Sequence, residues 1–258
     1  MPNFSEQVPR TNEAYEFLPL FHTCEAFQAR TYIRDRELKT TDICEVFDEP
    51  ITYLFYGRPA YKYATKGVAT KNLASYPICF IFDVDLLPEI KRIYPFDTGA
   101  LHHKILSNFI HNNNVVADFE IEPERNRIAD IVLHFHGSNE NYLSGIVEPR
   151  KYDPFAFESV AYAEMHHAYV PDRSDERRVT IEVHASETLK LRDGALRAII
   201  VPEAMLGSKL LEEFSSDVDV DIRTYEVDMW DPIYGFAMIA RVAKAYISEM
   251  AARTSDER

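Results

Sequence analysis

The amino-acid sequence predicts an α+β fold. Strand-like and helix-like runs are grouped irregularly along its 258 residues, without the regular alternation of a doubly wound sheet. The run "YPICFIFDV" at 76–84 is almost wholly apolar, as in a strand covered on both faces, whereas "VTIEVHA" and "VDVDIRTYEV" alternate like half-buried strands. Neither GxGxxG nor GxxxxGK[ST] occurs, which argues against Rossmann enzymes and P-loop NTPases, and no GxSxG elbow points to an α/β-hydrolase. No linker, repeat period or low-complexity tract interrupts the chain, so residues 1–258 are expected to form a single domain.

The elements follow in order. "YEFLPLFHT" (15–23) reads as a short strand ending at His22 and Thr23. "CEAFQARTYIRDREL" (24–38) then places Ala26, Phe27, Ala29, Ile33 and Leu38 at helical spacing. In "ITYLFYGRPAYKY" (51–63) the aromatic and apolar residues that sheets favour are broken by Gly57, Arg58 and Pro59. Gly lets the backbone bend and Pro fixes φ, so Arg58 is held between them with little freedom. That suits a fixed anion site, and equally a surface turn whose guanidinium points into water.

"ATKGVATKNLAS" (64–75) is a polar loop, and 76–84 is a central strand. "IKRIYPFDTGALHH" (90–103) carries turn signals at Pro95, Asp97 and Gly99 and leads into a helix near 101–111. A second helix is expected over 124–135, with Gly137 just past its end, then a loop at 137–145 and a helix at 154–167. Beyond the charged turn 171–178 come strands at 179–185 and 196–202, a helix at 202–214, a strand at 218–227 and a long helix at 232–252 with Pro232 in its first turn.

The formal charge of −14 argues against a broad basic surface for nucleic acid, because phosphate neutralisation needs clustered Lys and Arg. Cys24, Cys44 and Cys79 are odd in number, widely spaced and set among apolar residues, and read as reduced core thiols. The start "MPNFSEQVPR" lacks the apolar core of a signal peptide, so a cytoplasmic protein is expected. No apolar run approaches the roughly 18 residues that cross a bilayer, so no membrane partner is expected.

Paired histidines at 102–103, 134/136 and 166–167 invite a metal reading, but neighbours on a helix point to different faces, and no metal site is assigned. Asp83 and Asp85, at i and i+2 on a strand, would share a face and hold Mg²⁺ in a metal-dependent nuclease or phosphoesterase; otherwise they are solvated acids at a strand exit. What remains is His22 at a strand end, Arg58 in the broken strand, and Glu182 between Ile181 and Val183, facing away from both. A solvent-facing acid on an edge strand is the plainer reading of Glu182.

Three stretches resemble the ADP-ribosyltransferase fold, most closely its DNA-targeting toxins and related NAD-consuming defence effectors. They are "FHTCEAFQARTYIRDREL", "YLFYGRPAYKY" and "VTIEVHASETLKLRDGALRAIIVP", together roughly a quarter of the chain. The resemblance implies a split central β-sheet with surrounding helices and NAD as substrate. His22 and Thr23 would contact the nicotinamide-ribose end, Arg58 would bind the phosphates or assist catalysis, and Tyr61 would stack on nicotinamide. Glu182 would be the catalytic carboxylate, with Glu187 in "ASETL" as the competing assignment. The ADP-ribose acceptor stays open between nucleic acid, protein and water, and an antitoxin or regulatory partner is implied for a toxin or antiviral effector. A third possibility is a binding module that keeps such a fold without the chemistry. The residue types suit the reaction, because breaking the nicotinamide–ribose bond develops positive charge on the sugar that a carboxylate stabilises, and a guanidinium grips pyrophosphate bidentately.

Overall fold

The computed structural model describes residues 3–40, 42–61, 69–168, 177–185, 188–192, 194–227 and 231–256. The strands are β1 (Leu20–Glu25), β2 (Glu37–Lys39), β3 (Ile43–Cys44), β4 (Glu49–Pro50), β5 (Thr52–Tyr56), β6 (Pro77–Phe82), β7 (Ile90–Tyr94), β8 (Glu182–Ala185), β9 (Thr188–Lys190), β10 (Leu196–Pro202) and β11 (Asp221–Tyr225). The α-helices are α1 (Phe4–Gln7), α2 (Ala26–Asp35), α3 (Thr98–His102), α4 (Arg125–Phe135), α5 (Asn139–Leu143), α6 (Phe157–His167), α7 (Lys209–Asp217) and α8 (Pro232–Asp256). The fold is α+β, as expected. By its internal packing the chain forms two compact units: Met1–Phe17, Thr41–Tyr56 and Pro88–Ser186 make the first, and Leu18–Thr40, Gly57–Leu87 and Glu187–Arg258 the second.

In the first unit β8 lies between β5 and β7, antiparallel to both, and all four of its residues are buried. The hydroxyl of Tyr142, on α5, donates to Tyr56 O at 3.0 Å and accepts from Ile181 N at 3.1 Å, satisfying backbone groups beside β5 and β8. α4 ends as its sequence suggests, with Gly137 at φ 72° and its N–H donating to Val132 O at 3.0 Å. The N-terminal segment is fastened by Arg127, 1% exposed, whose guanidinium donates to Ser5 O at 2.7 Å, Val8 O at 3.1 Å and Asp130 Oδ2 at 2.6 Å.

In the second unit the strand order is β11, β10, β6, β1, with β10 and β11 parallel and the other neighbours antiparallel. Every residue of β6 is buried, which is why its sequence is continuously apolar. One face of this sheet packs Phe21, Cys79, Ile81, Ala198 and Ile200 against Ile239, Ala243 and Tyr246 of α8. Gly235 lets that helix approach closely, since a Cβ there would lie 3.0 Å from Pro77 Cδ and 3.1 Å from the Tyr225 hydroxyl. β2 and β9 form a separate antiparallel pair.

Several expected boundaries shift. β1 begins only after Pro19, whose missing N–H cannot join a ladder, and it runs on to Glu25. The helix expected near 101–111 is the short α3, started early by the Asp97 cap and followed by turns in which Lys104 takes φ 60°. Residues 90–94, read as a turn region, are strand β7, whose Lys91 and Arg92 are both bound by Glu49. α5 interrupts the loop expected at 137–145, capped by Ser138. Gly207 at φ 75° separates a 3₁₀ turn at Glu203–Met205 from α7, so no single helix spans 202–214. Cys24 and Cys79 are buried thiols, but Cys44 is half-buried, with the Tyr53 hydroxyl donating to its sulfur at 2.7 Å.

Candidate active site

The period-two alternation of β8 turns Glu182 and His184 to the same face, and the two side chains meet. His184 Nε2 lies 2.7 Å from Glu182 Oε1. Glu182 is 1% exposed and His184 is fully buried. A third group comes from α3: Thr98 Oγ1 donates to Glu182 Oε1 at 2.7 Å, and Thr98 N lies 3.4 Å from Oε2.

Thr98 is placed by its neighbour. Asp97 Oδ1 accepts from Gly99 N at 2.8 Å and Ala100 N at 3.2 Å, while Arg177 Nη1 lies 2.9 Å from Asp97 Oδ2. A polar chain thus runs Arg177, Asp97, Thr98, Glu182, His184, through residues far apart in sequence. Around His184 sit the rings of Phe47, Tyr53 and Tyr94, with centroids at 5.0, 5.0 and 5.3 Å. The Tyr53 hydroxyl's pKa is pushed upward, first by burial, then by its bond to Cys44, then by the Glu182 charge. Burial also raises the Tyr94 hydroxyl, with the neighbouring Glu120 charge adding to it.

This arrangement holds a preorganised carboxylate with one oxygen met by both Thr98 Oγ1 and His184 Nε2 and the other lightly held. The Glu182–His184 contact was legible in "TIEVHA", since i and i+2 on a strand share a face, yet the paired histidines elsewhere drew attention away from His184. Thr98 carried no signal in the sequence beyond the turn pattern around it. Glu187 lies outside the described residues.

The remaining expected site residues belong to the second unit. Arg58 is 4% exposed, so the turn does not send its guanidinium into water. Gly57 precedes it at φ 70°, with its N–H donating to Pro19 O at 2.9 Å, and Ala60 N donates to Arg58 O at 2.8 Å. His22 and Thr23, adjacent on β1, project to opposite faces. His22 packs its ring near Phe80 and Tyr32, centroids 6.3 and 6.1 Å away. Thr23 is buried opposite Cys79, whose thiol burial pushes up to about 12 despite the Thr23 hydroxyl beside it. The two side chains therefore address different surroundings. Tyr61 is half-buried, its ring 6.4 Å from that of Phe236 on α8.

The carboxylate pair considered for Mg²⁺ is built differently from the expectation. β6 stops at Phe82, and Asp83 caps the following 3₁₀ turn by accepting from Asp85 N at 2.9 Å while pairing with Arg197 at 2.9 Å. Of the paired histidines, His103 reaches Glu45 at 2.6 Å and His136 bonds Ile146 O and the Tyr162 hydroxyl. Among the described residues no three His, Cys, Asp or Glu side chains form a group that could hold a metal ion. Comparison with protein families, curated proteins and solved structures finds no match to the chain.

Proposed function

We propose that the protein cleaves the nicotinamide–ribose bond of NAD on an ADP-ribosyltransferase-like fold and passes ADP-ribose to an acceptor or to water, acting as a toxin or defence effector. The observation that carries this reading is the Glu182 carboxylate, buried on β8 and held by Thr98 and His184. Burying an ion costs several kcal/mol, and an apolar residue would fill that place at less cost. A carboxylate fixed in a water-poor setting is what an oxocarbenium-like state requires.

In the reaction the bond between the ribose C1′ and the nicotinamide nitrogen breaks, its electron pair leaves with nicotinamide, and the positive charge left on the sugar faces Glu182. The acceptor's nucleophilic atom, the oxygen in the case of water, then bonds to C1′ and releases its proton to solvent. Thr98 and His184 position the carboxylate. Because Glu182 is enclosed, substrate reaches it only when the groups over it move, and Phe47, between β3 and β4, is one of those packed on the His184 ring.

The test is to incubate purified protein with NAD and follow free nicotinamide, alone and with DNA, RNA or cell lysate. Release in any arm supports the reading, and the arm that accelerates it names the acceptor class. No release in any arm overturns it.

A further inference from the structure

A concavity of about 480 Å³ lies within the first unit, bounded by α1, the last turn of α4, the segment 150–156 and the first turn of α6. That volume falls in the range of small-molecule sites. Its polar groups are unevenly committed. Arg150 and Lys151 border it with exposed side chains, and neither joins an ion pair among the described residues, although the chain carries a net charge of −14. In the same unit Arg10, Arg92, Arg127 and Arg177 are all paired with carboxylates.

The Tyr152 hydroxyl, also in the wall, is buried with no hydrogen-bond partner among the described residues. The acidic groups of the wall, both exposed, each accept one backbone hydrogen bond: Glu6 from Asn3 N at 3.1 Å, closing the cap of α1, and Asp153 from Phe155 N at 2.8 Å. Arg150 and Lys151 have neither an ion pair nor a hydrogen bond among the described residues, and an anion would supply the partner they lack. Beside them stands Phe155, 68% exposed and braced edge-on by Phe157 at 5.9 Å. An aromatic face left in water next to unpaired cations fits a flat ring joined to an anion.

We propose that this concavity is a binding site for a nucleoside monophosphate, its phosphate on Arg150 and Lys151 and its base on the Phe155 ring. The site is separate from the groups assigned to NAD cleavage, and none of its residues takes part in that chemistry. His134 lines the same wall, and burial together with the Arg150 charge holds its pKa down to about 4. At neutral pH it offers a hydrogen-bonding ring without a competing charge.

The experiment is calorimetric titration of the full chain with AMP, adenosine and ribose 5-phosphate at neutral pH and low salt. AMP is expected to bind at least tenfold tighter than either fragment. Phe155→Ala should weaken AMP by roughly 5- to 150-fold, the span of base–aromatic stacking, with little change for ribose 5-phosphate. Arg150→Ala with Lys151→Ala should abolish binding of both phosphates. Nicotinamide release by Phe155→Ala is the independent control and should match the unaltered protein. Absence of AMP binding at millimolar concentration overturns the proposal, as does affinity unchanged in Phe155→Ala. AMP binding that survives loss of both cations but disappears in Arg58→Ala would place AMP on the NAD-binding group instead and also overturn it.

Discussion

Glu182, His134 and Arg58 each make a measurable claim. Glu182→Gln keeps the acceptor for the Thr98 hydroxyl and removes the charge, so folding stability should stay within about 1 kcal/mol in denaturant titration. Nicotinamide release should fall by roughly 10²–10³, the usual consequence of losing one preorganised electrostatic group. A purely structural pair would show the opposite pattern, with turnover unaffected. If Arg58 grips the pyrophosphate, as the family resemblance implies, Arg58→Ala should weaken NAD binding and turnover together, because a ground-state contact would be lost.

His134 makes a claim about pH. Its folded pKa, about 4, lies below the ordinary 6.5, so the unfolded chain binds the proton more readily. Its contribution to stability is complete above pH 6.5 and is lost as pH falls through about 4. Partial exposure screens the effect to about 1–2 kcal/mol. His134→Gln should flatten the stability profile between those pH values and leave it unchanged at pH 8.

At the scale of elements, the turn at Gly57 and the clamp at Arg127 are the most exacting pieces. Gly57→Ala places a Cβ at φ 70° and should cost about 1–2 kcal/mol in thermal or denaturant unfolding. Arg127→Ala strands Asp130, 3% exposed, and frees Ser5 O and Val8 O, so a loss of about 3–5 kcal/mol is expected, with faster proteolysis near residues 3–11. Elements with one dominant signal were legible in the sequence, β6 by its unbroken apolar run and α4 by Gly137 past its end, whereas the strand expected to be half-buried over 179–185 is confined to Glu182–Ala185 and buried throughout. Strand β7 was hidden because Lys91 and Arg92 look like solvent-facing charges until Glu49, some 40 residues earlier, is seen to bind them. α7 was misplaced because a glycine within a helical pattern does not announce whether it is tolerated or takes a positive φ.

At the scale of the molecule the site was half legible. Glu182 stood out by position, and His184 was available from strand parity, but Thr98 meets Glu182 only through the packing of α3 against β8, 84 residues away. Long-range contacts of that kind leave no periodic trace. No described helix is long and apolar enough to cross a membrane. With a net charge of −14, any nucleic-acid acceptor has to be held by local cations, and stimulation by DNA or RNA should decline steeply as salt rises.

The central claim is that the enclosed carboxylate exists for chemistry. The most direct measurement is nicotinamide release from NAD by the unaltered protein, Glu182→Gln and Glu187→Gln, side by side with their unfolding midpoints. The account predicts release by the unaltered protein and by Glu187→Gln, near-complete loss in Glu182→Gln, and similar midpoints for all three. Release retained in Glu182→Gln, or none from the unaltered protein, would contradict it.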